Sequence, residues 1–142
     1  MRLIATLCFL IVACSKPLEP TQWVKVAQSA DGLEASYNSN NMEHGGSKPF
    51  VIRKTLTDYK KTQTTEGGNM FTSYVSENVL KCGFKLWSPI SVDYYSGNMA
   101  TGKIIEHNER SLKEAENDLY QIDVGSKIET TYKETCSHAN FK

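Results

Sequence analysis

The chain has 142 residues, of which 39% are hydrophobic and 23% charged, and its 16 basic residues balance its 16 acidic ones. This length allows one domain with its own core and is too short for two, and the composition is that of a folded globular protein. A formal net charge of zero excludes a general electrostatic attraction to nucleic acid or to an anionic membrane.

The amino-terminal residues have the form of a bacterial lipoprotein signal. Arg2 gives a positive start, and the apolar run over residues 3–12 is too short to cross a bilayer as a helix. The run ends in Ile11-Val12-Ala13-Cys14, which resembles the lipobox, where a peptidase needs small side chains before its cut and the cysteine thiol receives the lipid. The alternative is an ordinary signal peptide with a chance cysteine near its end. The motif predicts lipidation at Cys14.

This interpretation divides the chain into three parts. Residues 1–13 are the signal peptide, residues 14–20 are a short lipid-anchored tether, and residues 21–142 are a single domain. The retention rule for inner-membrane lipoproteins favours Asp after the cysteine, and Ser15 stands there instead, so the resemblance implies the outer membrane. Several buried acyl chains would make a durable anchor that holds the domain close to its membrane.

From Thr21 onward, short runs alternate apolar and polar residues, which is typical of half-buried antiparallel strands. The pattern predicts strands at 23–27 and 33–37, joined by an Asp31-Gly32 turn, then a polar loop over 38–48 and a long strand at 50–59. The central stretch predicts strands at 70–75, 79–87, 90–95 and 103–105, with a turn at 96–98. One face of the 79–87 strand would hold Leu80, Cys82, Phe84 and Leu86, so Cys82 would point inward.

Two capping-box patterns follow the strands. Ser111 with Glu114 is consistent with a helix over 111–119, although an exposed loop fits this segment nearly as well. Ser126 with Glu129 begins a clearer C-terminal helix. Its predicted buried stripe is Ile128, Tyr132, Cys136 and Ala139.

The four cysteines divide between two roles. Cys8 would leave with the signal peptide and Cys14 would carry the lipid, which leaves Cys82 and Cys136 as a pair. A disulfide is the default in an exported, oxidising setting, and a free nucleophilic thiol is the alternative. A bridge between them would join the last helix to the central strand.

Several features together resemble the surface-adhesin protein E family. They are Trp23, Tyr37 and Phe50 on successive strands, Ser73 ahead of Cys82, Tyr94-Tyr95, and Val124-Gly125-Ser126 with Glu129 before Cys136. The family usually has Pro where this chain has Val124, and the segment 106–121 is longer here. The resemblance implies a small Gram-negative lipoprotein with an antiparallel sheet, a packed C-terminal helix and one disulfide. It also implies binding to host extracellular-matrix proteins and a possible homodimer.

Nothing in the sequence has the form of a catalytic or metal site. His44, His107 and His138 lie in predicted loops or at a helix end without metal-ligand spacing, and phosphate-binding and nucleophile motifs are missing from the sequence. We therefore expect no enzymatic activity, no cofactor and no metal. Small basic groups, Arg53-Lys54 and Lys60-Lys61, are interpreted as solvated strand edges and loop tips.

Aromatic residues are the candidate binding groups. One of the adjacent Tyr94 and Tyr95 must face away from the core in a regular strand, and exposed rings such as Trp87 favour contacts with partners. A helix covering these rings is the alternative interpretation.

The sequence thus predicts an α+β fold: a five- or six-stranded antiparallel sheet with a C-terminal helix packed on it and one disulfide. The predicted function is a non-catalytic binding module for host or extracellular-matrix proteins on an outer-membrane lipoprotein. The alternative is a periplasm-facing lipoprotein that inhibits an envelope enzyme or assists assembly.

Overall fold

A single antiparallel sheet organises the protein, and each of its six main strands pairs with its neighbours in sequence. The computed structural model describes residues 21–45 and 49–138, so the expected signal peptide, the tether, Cys14 and Ala139 lie outside the described residues. The strands are β1 (Trp23–Gln28), β2 (Glu34–His44), β3 (Phe50–Thr64), β4 (Met70–Lys81), β5 (Leu86–Tyr95) and β6 (Ile104–Glu109). Four further elements are a short 3-10 helix (Asn98–Ala100), helix α1 (Leu112–Asn117), a two-residue strand β7 (Tyr120–Gln121) that pairs with β5, and helix α2 (Lys127–His138). The predicted α+β fold is confirmed.

The predicted strand at 79–87 is wrong, because the chain turns back within it. β4 ends at Lys81 and β5 begins at Leu86, with Gly83 at φ 86° and Lys85 at φ 52° in the connecting turn. Phe84 is 58% exposed at this turn instead of lying on a buried face. β5 then runs through Pro89, which the sheet tolerates because a bulge shifts the register there.

β2 continues beyond its predicted end, through Asn- and Ser-rich sequence that the pattern assigned to a loop. It pairs with β3 as far as His44, with an irregularity between Asn38 and Met42. Asn38 and Ser39, at the start of this extension, face partners because both are almost completely buried, whereas residues 40–44 are exposed.

The segment 111–119, for which the sequence allowed either a helix or a loop, contains helix α1. The Ser111 hydroxyl accepts the Glu114 backbone N–H, and the Glu114 carboxylate accepts the Ser111 N–H, so the capping box is complete. Behind it, Ala115 is fully buried in a cluster with Phe50 and Val79.

The predicted Cys82–Cys136 disulfide is confirmed, and it closes a sequence separation of 54 residues. It attaches α2 to the turn just beyond β4 rather than to the middle of a strand. Tyr132 reinforces this attachment, because its hydroxyl accepts the N–H groups of Gly83 at 2.8 Å and Lys85 at 3.2 Å. Its ring packs with Leu80 and Ile122.

The rest of the buried face of α2 is polar. Arg53, only 5% exposed, donates through Nε and Nη2 to the Ser39 carbonyl and through Nη1 to the Thr135 hydroxyl at 3.0 Å. Its Nη2 also lies 3.3 Å from a carboxylate oxygen of Glu134. The interpretation of Arg53 as a solvated basic group is therefore wrong, because this guanidinium joins β2 and β3 to the last helix.

Asn38 makes a parallel connection between β2 and α2. Its side-chain oxygen accepts the Thr131 hydroxyl at 2.8 Å, and its amide nitrogen donates to Glu134. The helix is thus held to the sheet by directed hydrogen bonds and a covalent bridge more than by an apolar stripe.

Candidate functional site

α2 covers only part of one face of the sheet and leaves a groove of about 360 Å³ beside its first turns. We call this the aromatic groove. Its sheet side is formed by Ser36 and Tyr37 of β2, Thr55 and Thr57 of β3, Phe71, Tyr74, Ser76 and Asn78 of β4, and Trp87, Pro89, Val92 and Tyr94 of β5. Its helix side is formed by Lys127, Ile128 and Thr131.

Four rings pack together at one end of the aromatic groove. Phe71 and Tyr94 meet edge to face with centroids 4.8 Å apart, and Tyr74 lies opposite Tyr94 on the neighbouring strand with centroids 5.7 Å apart. Tyr59 completes the cluster at 5.9 Å from Phe71. Phe71 is buried, whereas the three tyrosines are partly exposed. Such packing fixes the ring positions before any ligand arrives.

Burial keeps Tyr59 and Tyr94 neutral. Desolvation, with a smaller contribution from Tyr74, raises the pKa of Tyr59 to about 12. Desolvation also raises the pKa of Tyr94 above its ordinary value. Their hydroxyls therefore remain hydrogen-bond donors throughout the physiological range.

Beneath the middle of the aromatic groove lies a buried network of uncharged polar side chains. Ser76 donates to the side-chain oxygen of Asn78 at 2.9 Å, and the Asn78 amide donates to Thr55 Oγ1 at 3.1 Å. Lys127 is the charged residue among those that line the groove, and it forms an ion pair with Glu34. The groove therefore suits a ligand without net charge.

Two of the three predicted binding residues meet at this surface. Trp87 and Tyr94 both line the aromatic groove, but Tyr95 does not. Tyr95 stands opposite Ser73 on the other face of the sheet, where burial and the nearby Asp93 raise its pKa.

Sequence reasoning missed the other contributors. Tyr59 and Tyr74 are on strands that the alternation predicted, but only the strand register brings them to Tyr94. Ile128 was predicted as a core residue of the helix, and it packs beside Trp87 at the edge of the groove. The aromatic content of neighbouring strands was the signal that could have indicated a cluster.

A separate polar group occupies the opposite face. His107 lies on β6 rather than in a loop, with Nδ1 at 2.5 Å from Asp93 and Nε2 at 3.1 Å from Glu109. Hydrogen bonds to these carboxylates, first Asp93 and then Glu109, raise the pKa of His107. Within residues 21–45 and 49–138, no group of three or more His, Cys, Asp or Glu side chains could hold a metal ion.

Comparison with known proteins identifies one family. The model of the family described as surface-adhesin protein E matches residues 23–137, which include all the strands and nearly all of α2. No curated protein and no solved structure shows significant similarity to the chain. In the described part of the chain, no helix is long and apolar enough to cross a membrane.

Proposed function

The chain belongs to the surface-adhesin protein E family, and from this premise we propose that it is an outer-membrane lipoprotein with a non-catalytic binding domain. Its partners would be host or extracellular-matrix proteins. The observation that carries the proposal is the aromatic groove, with its preformed cluster of Tyr59, Phe71, Tyr74 and Tyr94. Tyrosine and tryptophan are enriched in protein interfaces because they supply a large contact area together with a polar group.

From its start nearest the proposed anchor, β1 runs toward the ring cluster. β1 begins at Trp23, opposite Ser39, and runs to Gln28, opposite Ala35. The ring cluster lies near the end of the sheet toward which β1 runs. Ala35 pairs with Asp58, and the same row of paired residues continues across the sheet to Tyr95, next to Tyr94 of the cluster. A tether at residues 14–20 would reach at most roughly 20 Å, so a lipid at Cys14 would hold the domain close to its membrane.

Protease treatment of intact cells tests surface display. The proposal expects external protease to remove the domain, with a known periplasmic protein left intact as the control. Protection of the domain in intact cells, with cleavage after permeabilisation, would contradict it. That result would favour the periplasm-facing alternative, an inhibitor of an envelope enzyme or an assembly accessory.

Retention of matrix proteins across a salt series tests the binding surface. A contact made by buried rings should change little between low and moderate ionic strength, whereas attachment through Lys54, Lys60 and Lys61 should weaken steeply. A variant with Lys60 and Lys61 replaced by Ala is the matched comparison and should retain binding. If the purified protein retains no matrix protein at any salt concentration, the proposed partner class is wrong.

A further inference from the structure

We infer that β6 is a docking edge for an extended, basic segment of another protein, which adds to the sheet as a further strand. The sheet ends at β6, because this strand pairs with β5 and no other described strand lies on its outer side. An edge strand presents a row of backbone N–H and C=O groups with which another chain can pair. The opposite edge, β1, is interrupted by a register shift between Lys25 and Ala27, whereas β6 is regular from Glu106 to Glu109. No residue of β6 lines the aromatic groove, so the inference goes beyond the proposed function.

The strand register identifies which backbone groups of β6 face outward. The Arg110 N–H donates to the Ile90 carbonyl at 2.9 Å, so these two residues form a hydrogen-bonded pair at the end of the ladder. In an antiparallel ladder such pairs alternate with pairs that exchange no hydrogen bond. His107 and Glu109 occupy the alternate positions. Their N–H and C=O groups therefore point away from β5, toward the open edge.

The side chains along this edge are accessible, and most of them are acidic. Glu109 is 68% exposed and His107 49%, and Asp93, beside them on β5, is 26% exposed. Glu106 lies on the other face of the sheet, because successive residues of a strand point to opposite faces. A hydrogen bond from Thr65 is the main cause that lowers the pKa of Glu106, so this carboxylate stays charged. Both faces of the edge therefore carry negative charge.

These charges favour a basic strand. Partner residues opposite His107 and Glu109 would project on the face that holds Asp93. The partner residues between them would project on the face that holds Glu106. Pairs of opposite charge across neighbouring strands are stabilising, so lysine or arginine at these partner positions adds to the main-chain hydrogen bonds.

Two other occupants fit this edge less well. A second copy of β6 would bring the same carboxylates against each other, and like charges across a strand pair are destabilising. An acidic segment meets the same repulsion, since Arg110, the basic residue that follows β6, is already paired with Asp118 at 2.9 Å. An extended segment with lysine or arginine at alternate positions satisfies both the backbone and the charge of the edge.

Titration with synthetic peptides tests the inference on the full-length protein purified in detergent. The probe alternates lysine and threonine over about nine residues, which is longer than the six residues of β6, and the control has glutamate for every lysine. We expect saturable binding of the lysine peptide alone, with slower hydrogen exchange at the amides of His107 and Glu109. His107→Pro removes an outward N–H without removing a hydrogen bond to β5, so it should weaken binding about tenfold or more. His107→Gln keeps this N–H and should bind at least as well as the native protein.

Methylated peptides keep the test decisive if His107→Pro fails to fold. Only alternate N–H groups of an added strand face β6. Methylation of either the lysine or the threonine amides should therefore abolish binding to the native protein, while methylation of the other set should spare it. Equal effects of the two sets would overturn the inference. Equal affinity for the glutamate peptide would also overturn it, as would binding without slower exchange at His107 and Glu109.

Discussion

The guanidinium of Arg53 donates to the sheet and to α2 at once, through Ser39, Thr135 and Glu134. Arg53→Met should lower the free energy of unfolding by about 2–3 kcal/mol, because it leaves buried acceptors without their donor. Lys54→Met is the matched control: Lys54 is exposed and 3.8 Å from Glu77, so its loss should cost less than about 1 kcal/mol. Urea denaturation of both variants measures the difference. Equal losses of unfolding free energy in the two variants would show that the buried contacts of Arg53 contribute no more to stability than the exposed ion pair of Lys54.

His107 gives the protein a pH-dependent stability. Its pKa is raised in the folded state by Asp93 and Glu109, so protonation favours the fold. The stabilisation is complete when the pH is below 6.5, the pKa of the imidazole in the unfolded chain. It is lost as the pH rises through the higher pKa of His107 in the folded protein. We expect the urea midpoint of the native protein to fall over this window relative to His107→Gln. NMR titration of the imidazole gives the pKa directly, and a value at or below 6.5 would refute the argument.

Among the secondary-structure elements, α2 depends most on the disulfide for its attachment to the sheet, because the buried face of this helix is mostly polar. Cys136→Ser should lower stability by up to about 4 kcal/mol on the chain-entropy model for a separation of 54 residues. Hydrogen exchange should increase first in α2, since its hydrogen bonds to Arg53 and Asn38 open together. Ser137→Ala, an exposed change beside the bridge, should leave exchange unaltered. Unchanged protection of α2 in Cys136→Ser would contradict this prediction.

Element by element, the sequence predicted most strands and the last helix because alternation and capping boxes are local signals. It failed at 79–87, where alternating apolar residues continue through a turn. Gly83 was the available turn signal, but Lys85 adopts a positive φ that no lysine indicates. The polar extension of β2 was missed for a different reason, because the partners of Asn38 are on α2.

For the molecule as a whole, residue type predicted part of the groove and register determined the rest. Trp87 and Tyr94 were identified because rings in a half-buried strand need partners. The sequence could not decide which of Tyr94 and Tyr95 faces the groove, because a shift of one residue exchanges the two faces. Tyr59 and Tyr74 join the site only through pairing between strands.

The proposed anchor also belongs to the scale of the whole molecule. Given Ile11-Val12-Ala13-Cys14, Cys14→Ser should abolish labelling by radioactive fatty acid and release the domain from the membrane fraction. Cys8→Ser, which changes the other cysteine of the proposed signal, is the control and should leave labelling intact. Membrane attachment that survives in Cys14→Ser would refute the lipobox interpretation.

Because α2 follows all the strands in sequence, it determines the order in which the fold can be completed. Strands β2 to β6 each pair with the preceding strand, so every hairpin can form as soon as its own residues are free to fold. Arg53 and Asn38 receive their helix partners only when the 12 residues of α2 have been made. A nascent chain that stops before Lys127 therefore contains the whole sheet but lacks these hydrogen bonds and the second cysteine. The helix that follows all the strands in sequence is the element that closes the structure.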